Sequence, residues 1–215
     1  MKKIYSFFGD FYHDHDIILS AVEKAVKGIE NLELIDAKIE QISQVLDQNP
    51  EAIIIDMENR INPQDPVIDL WLTPELDEKI TNYVHGGGRF VAMHAGIASY
   101  APETKYTKML KGYFLSHPAD CPVQYISNDK LPFENKTAFN YQVMDEHYQL
   151  HVDEENTTVF MKSTSEHGDN YGGWYHDYGN GKVICIAPTH RKEGFEHEET
   201  IRLIKQSIEW VIGKN

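Results

Sequence analysis

The chain has 215 residues, with 34 acidic against 20 basic side chains and a formal charge of −14. That balance disfavours nucleic acid or an anionic membrane as a partner, because both require a basic footprint. Hydrophobic residues make up 41% and charged residues 25%, the proportions of a globular domain able to bury a substantial core. Cys121 and Cys185 form neither a metal-type spacing nor a disulfide framework. No apolar span of about 18 residues and no signal-peptide-like segment occurs, so a cytoplasmic location is expected.

Ile4 to Phe8 reads as a first strand ending at Gly9-Asp10. A polar loop follows, and then an amphipathic helix from about Ile17 to Lys27, whose Ile18, Ala21, Val22, Ala25 and Val26 keep the spacing of one buried face. Asp14 or Asp16 caps it and Gly28 stops it. Leu32 to Ile35 is a short strand, and Ile39 to Leu46 is a second helical pattern closed by Asn49-Pro50. Ala52 to Asp56 is a nearly continuous β-branched run, as expected for a strand covered on both faces. After the polar loop 57–66, Thr73-Pro74-Glu75 supplies a cap hydroxyl, a proline and an acid in the order of a helix start. That helix runs to Gly86-Gly87-Gly88.

Arg89 to Met93 is the next strand, with His94 at its exit and the small residues Ala95, Gly96, Ala98 and Ser99 behind it. This is the pattern of a nucleophile elbow, a strand turning sharply into a helix. Here the turn carries a histidine instead of serine or cysteine. Beyond it, Thr104 to Leu110 looks helical, 112–118 looks like a loop entering a strand, and Val123 to Ile126 and Val159 to Lys162 read as strands. Residues 135–150 fit neither period. Gly172 to Tyr178, the turn Gly179-Asn180-Gly181 and Lys182 to Ala187 form a hairpin, and Pro188-Thr189-His190 is another strand exit. A last helix spans about His197 to Val211. The order predicts one α/β domain over residues 1–215, its parallel sheet covered by helices on both faces and its ligands beyond the carboxyl ends of the strands.

Taken together, Leu72-Thr73-Pro74-Glu75, the run from Gly86 to Ala95, His117-Pro118, Asp145-Glu146-His147-Tyr148, the run from Trp174 to Val183, and Thr189-His190 resemble the ThuA-like, or trehalose-utilisation, family. Its fold is similar to the class I glutamine amidotransferase domain. The resemblance implies a flavodoxin-like three-layer sandwich with a mostly parallel sheet and an antiparallel C-terminal hairpin. It also implies a role in disaccharide or related carbohydrate metabolism and is compatible with a homodimer. Glutaminase activity is not expected, because neither cysteine lies at the elbow where a thiolate would attack the amide.

Among the eleven histidines, His94 reads as a general base, a general acid or a ligand, its ordinary pKa of about 6.5 suiting proton transfer. The alternative is a ring that braces the turn. His190 falls where this fold carries its catalytic histidine, or else caps the final helix. Glu146 is the candidate acid. His15 and His117 are candidate ligands for a divalent metal such as zinc, with His13 as the substitute for His15. A polar capping loop and a surface histidine are the alternatives. Asp145, Tyr148 and Trp174 are candidates for holding a sugar, although Trp174 reads more readily as core packing of the hairpin. His147, His151, His167, His176 and His197 are expected on the surface. The expected activity is hydrolysis or isomerisation of a small-molecule sugar or keto-sugar by strand-end histidines; the alternative is a non-catalytic sugar-binding protein.

Overall fold

The computed structural model describes residues 1–213. The chain runs through β1 (Lys2–Phe8), α1 (His15–Val26), β2 (Leu32–Asp36), α2 (Ile42–Asp47), β3 (Ala52–Asp56), α3 (Pro74–His85) and β4 (Arg89–Met93). A 3₁₀ turn (His94–Ile97) leads to α4 (Lys105–Leu110), β5 (Gly112–Ser116), β6 (Cys121–Ser127), β7 (Asn140–Asp145) and β8 (Gln149–Val152). β9 (Thr158–Ser165), β10 (Gly168–Tyr178), β11 (Gly181–Ile186), α5 (Lys192–Glu196) and α6 (Glu198–Ile212) complete it.

The main sheet has the order β2-β1-β3-β4-β11-β10-β9-β6-β7. β2, β1, β3, β4 and β11 pair in parallel, and the remaining pairs are antiparallel. β5 and β8 form a separate antiparallel pair. Side-chain alternation along each strand sorts the core into two layers. Ile4, Ile54, Val91 and Ile184 pack with α1 and α6 on one face, while Phe7, Ile53, Phe90 and Val183 pack with α2, α3 and α4 on the other. Both faces are therefore covered, as the continuous apolar runs require. Residues 135–150, which show no clear period, supply β7 and β8. In β7 the burial alternates strictly from residue to residue, but the strand is too short for that to stand out in the sequence.

The antiparallel half does not lie flat. β7 stands four strand spacings from β11, about 19 Å in a flat sheet, yet the backbone N–H of His190 donates to Asp145 Oδ1 at 2.7 Å. Curling of the sheet around α6, together with the reach of residues 187–190, closes that gap. Contacts with α6 mark the curl: the Tyr141 ring stacks on His197 at 5.0 Å, and the Arg202 guanidinium lies 3.6 Å from the Phe139 ring centre. The carboxyl end of β7 is thereby delivered to the carboxyl ends of the parallel strands.

At the exit of β4 the chain enters a 3₁₀ turn rather than the helix an elbow pattern predicts. The turn is tight for a steric reason. A Cβ on Gly96 would sit 2.3 Å from the carbonyl oxygen of Ile55, so only glycine lets the turn pass so close to β3. His94 takes a positive φ of 29°, a conformation that costs energy for a side-chain-bearing residue and is found where the surroundings fix it.

Two histidines expected on the surface are interior. His147 lies between Ser163 and Ser165, and His176 donates from Nε2 to Met109 O at 2.8 Å with Thr157 Oγ1 at its other nitrogen. His197 caps α6 through Nδ1, which accepts from the backbone of Glu199. Among the described residues no helix is long and apolar enough to cross a membrane.

His176 is 8% exposed. Burial, opposed by its bond to Met109 and aided by the Lys111 charge, brings its pKa down to about 4 from 6.5. As pH falls the unfolded chain takes up this proton first, so the contribution is complete above about 6.5 and declines toward pH 4. The urea midpoint is expected to fall between about pH 7 and pH 4.5, and to fall less in His176→Gln, by up to about 3 kcal/mol in stability. Equal declines in the two proteins would contradict this.

Candidate metal centre

The first βα loop is built around Asp10. Its Oδ1 accepts from the backbone N–H of Tyr12 at 2.8 Å and of His13 at 3.1 Å, and from His13 Nδ1 at 2.7 Å. Its Oδ2 accepts from the backbone of Glu58 at 2.7 Å. Asp14 caps α1 by accepting from Asp16 and Ile17, so His13 lies before the helix and turns inward. With Nδ1 donating to Asp10, His13 Nε2 carries its lone pair into the protein, where it is buried without a hydrogen-bond partner.

His94 repeats the arrangement. Its Nδ1 donates to the carbonyl of Ala187 at 2.7 Å, its ring is stacked on Tyr148 at 4.1 Å, and its Nε2 is buried without a hydrogen bond. Asp56, at the end of β3, secures the backbone by accepting from Ala95 N–H at 3.0 Å. On the third side, Asp145 Oδ1 accepts from the backbones of Glu146 and His190 at 3.0 and 2.7 Å, while Tyr125 donates to Oδ2 at 2.7 Å. His190 Nδ1 is also buried and unpartnered by hydrogen bonds.

The three orphaned nitrogens and the Glu146 carboxylate converge. His13, His94, Glu146 and His190 each offer one ligand atom, all lying within 4.8 Å of one another. Glu146 Oε2 is 3.4 Å from His94 Nε2 and 3.5 Å from His190 Nδ1. Tetrahedral zinc ligands about 2.1 Å from the ion stand about 3.4 Å apart. Imidazole and carboxylate are also the donor types zinc takes. The second nitrogens of His13 and His94 are held by a carboxylate and a carbonyl, the outer-shell pattern of metal-bound histidines. The residues fit a divalent cation.

The electrostatics are consistent with a cationic occupant. Burial pulls the His94 pKa down, but Glu146, Asp145 and Asp56 outweigh it and raise it to about 9. Burial acts upward on Glu146, and the neighbouring His94, His190 and His117 bring it to about 2. His190 falls to about 4, through burial and then the His94 charge. Asp56 rises to about 7 because it is wholly buried, against the pull of His94 and His13. Without a cation, the proton on His94 is the positive charge answering these carboxylates.

The other sequence candidates fall elsewhere. His15 is a correction: it is the first residue of α1 and sits half-exposed between Asp16 and Asp36, at 2.8 and 3.0 Å. His13 takes its place. His117 donates from Nδ1 to Pro118 O and brings Nε2 to 3.6 Å from Glu146 Oε1, which puts it at the rim and outside the four-residue cluster. Asp145, Tyr148 and Trp174 are not open to a sugar. Asp145 is fully buried by its bonds, Tyr148 is buried beneath His94, and Trp174 is core, donating to Leu110 O at 2.7 Å. Asp10 and Asp56 escaped the sequence reading. Each stands at or just past the end of an apolar strand, and that position was the available signal.

Fold and donor set together define an α/β domain with a histidine–carboxylate centre at the carboxyl ends of its strands. The ThuA family, trehalose utilisation, matches residues 14–211, and the chain belongs to that family. No curated protein matches it. A ThuA-like protein from Parabacteroides merdae ATCC 43184 superposes with a TM-score of 0.78 at 13% identity, covering 99% of this chain and 90% of that one. A ThuA-like protein from Bacteroides uniformis ATCC 8492 gives 0.71 at 16%, covering 100% and 92%. The β-galactosidase from Rahnella sp. R3 gives 0.68 at 12%, covering 98% of this chain and 32% of that one. At these identities the likeness is one of fold.

Asp10→Asn keeps the loop's acceptor for backbone N–H groups but weakens the hold on His13 Nδ1. Zinc affinity measured by chelator competition is expected to fall about 10- to 100-fold, with the far-ultraviolet spectrum unchanged. An unchanged affinity would show that Asp10 does not orient a ligand.

Proposed function

We propose that this protein is a metal-dependent enzyme of carbohydrate utilisation, acting in the cytoplasm on trehalose, a related disaccharide or a keto-sugar derivative. The observation that carries this is the convergence of three buried, unpartnered imidazole nitrogens and the Glu146 carboxylate. Membership of the trehalose-utilisation family supports the substrate class, and a flavodoxin-like, amidotransferase-type frame would account for the tight turn at His94.

His13, His94, His190 and Glu146 would hold the ion, a zinc or similar cation. With all four residues as ligands, such a cation would need a fifth position to act as a Lewis acid on a substrate oxygen or a water, and that chemistry would serve either hydrolysis or isomerisation. The chain's own groups do the rest. Asp10 and the Ala187 carbonyl fix the tautomers of His13 and His94. Tyr148 covers the His94 ring and keeps water from that side. His117, exposed with Nε2 3.6 Å from Glu146 Oε1, would exchange a proton with a sugar hydroxyl at the rim. A glutaminase is disfavoured: Cys185 is a core residue of β11 whose thiol burial pushes up, and Cys121 is buried in β6.

A second reading, a sugar-binding accessory protein without turnover, is favoured by the absence of a nucleophile from the elbow. Product formation separates the two. Zinc-loaded protein is expected to convert trehalose or a keto-disaccharide, to lose activity on chelation and regain it with zinc, and to release no ammonia from glutamine. In Glu146→Gln, turnover should drop at least about 100-fold. Turnover that survives chelation contradicts the metal-dependent reading, and sugar binding with no product from either sugar supports the accessory one.

A further inference from the structure

Large apolar side chains left in water are concentrated at the edge that carries the metal centre. Of the ten exposed ones among the described residues, Phe11 and Tyr12 lie in the loop after β1, and Ile61, Val67, Ile68 and Leu70 in the loop after β3. β1 and β3 are parallel neighbours, so both loops open on the same side as His13. A concentration of this kind marks a binding surface more often than chance exposure does.

The two aromatic residues are also held in place. Phe11 and Tyr12 are 56% and 46% exposed and pack edge to face at 4.9 Å. The Asp10 oxygen that orients His13 also accepts from the backbone N–H of Tyr12, so one carboxylate fixes both the aromatic pair and a metal ligand. Behind them, Arg60 stands 5.8 Å from the Tyr12 ring centre, and Arg60 is itself gripped by the buried Glu58. The second loop is braced by a bridge from Arg60 to Leu70 and by a bond from Ile61 N–H to Asp69 O. Tyr12 is fixed through its backbone by Asp10, with Arg60 near its ring and Phe11 packed on its edge, so the pair presents its exposed faces at a set place, as preorganisation for a ligand requires.

We propose that Phe11 and Tyr12 form the sugar platform of this site, taking the C–H face of a neutral glycoside ring while its hydroxyl edge faces the metal centre that His13 helps to build. The proposal rests on the metal-centre reading above. The preference for a neutral ring follows from the net charge of −14 on the chain, which disfavours approach of an anion; the carboxylates of the centre itself are answered by the cation they would hold. The aromatic faces supply apolar area with little rotamer entropy to lose, the usual make-up of a site that binds an amphipathic ring.

The test uses the full-length, zinc-loaded protein with trehalose, methyl α-glucoside and glucose 6-phosphate as probes, read by saturation-transfer NMR and calorimetry. Transfer to ring C–H protons of at least one neutral sugar is expected, with little to glucose 6-phosphate. The double variant Phe11→Ala, Tyr12→Ala should bind that sugar about tenfold more weakly, and Tyr12→Phe should restore most of the loss. Zinc content and elution volume should not change. No transfer to either neutral sugar, equal binding by the double variant, or tighter binding of glucose 6-phosphate would overturn the proposal. A change of oligomeric state in the double variant would overturn it too, assigning the rings to a subunit contact. If His13→Ala, His190→Ala loses zinc and the sugar still binds through Phe11 and Tyr12, the platform stands; if wild-type protein binds no zinc, the metal reading fails by itself.

Discussion

Three buried carboxylates hold the chain where it leaves its strands, and the arrangement of the site depends on them. Asp10 accepts from the backbone of His13, Asp56 from that of Ala95, and Asp145 from those of Glu146 and His190. A carboxylate taken out of water is costly unless its oxygens are occupied. Here the occupants are the N–H groups of the segments that carry the four candidate ligands, except at Asp56 Oδ2, which is buried without a hydrogen bond, in keeping with the raised pKa of that group. Four pieces of chain distant in sequence are thus fixed against one another without a helix or disulfide between them. The fold contributes the sheet edge, and the carboxylates set the positions on it.

The same constraint explains the charge pattern. Negative groups gathered in a dry pocket repel one another and demand a positive centre. In the protein alone the His94 imidazolium answers Glu146, which is why their pKa values are driven apart, to about 9 and about 2. A divalent cation would answer the same field with more charge, releasing the His94 proton as it binds, since a ligating imidazole must be neutral. The nitrogens of His13, His94 and His190 that make no hydrogen bond would then be the coordinating atoms. The exposed Phe11–Tyr12 pair is tied to this centre by Asp10, so shaping the ligand and shaping the mouth are one local problem.

Much of this was legible in the sequence, and unevenly so. The parallel half was readable because doubly covered strands are written as β-branched runs such as 52–56, and because Thr73-Pro74-Glu75 and Gly86-Gly87-Gly88 mark both ends of a helix. The antiparallel half was not, since short strands such as β7 and β8 give too few alternations to see, and the curl that brings Glu146 to His94 is a property of the whole sheet. His94 and His190 stood out as polar residues at strand exits, and Glu146 only as the acid of a polar cluster in a stretch without a clear period. His13 and His15 could not be separated until the cap was known: Asp14, not Asp16, begins the helix, which turns His13 inward and leaves His15 in water. Asp145, Tyr148 and Trp174 have the chemistry of sugar contacts, but burial commits them to holding the backbone, the His94 ring and the core.

The most direct test of the metal centre is anomalous diffraction at the zinc edge from crystals grown with zinc. A single strong peak is predicted about 2.0–2.1 Å from His13 Nε2, His94 Nε2, His190 Nδ1 and one oxygen of Glu146. A peak at His15 and Asp36, or none above background with the four side chains unchanged, would contradict it.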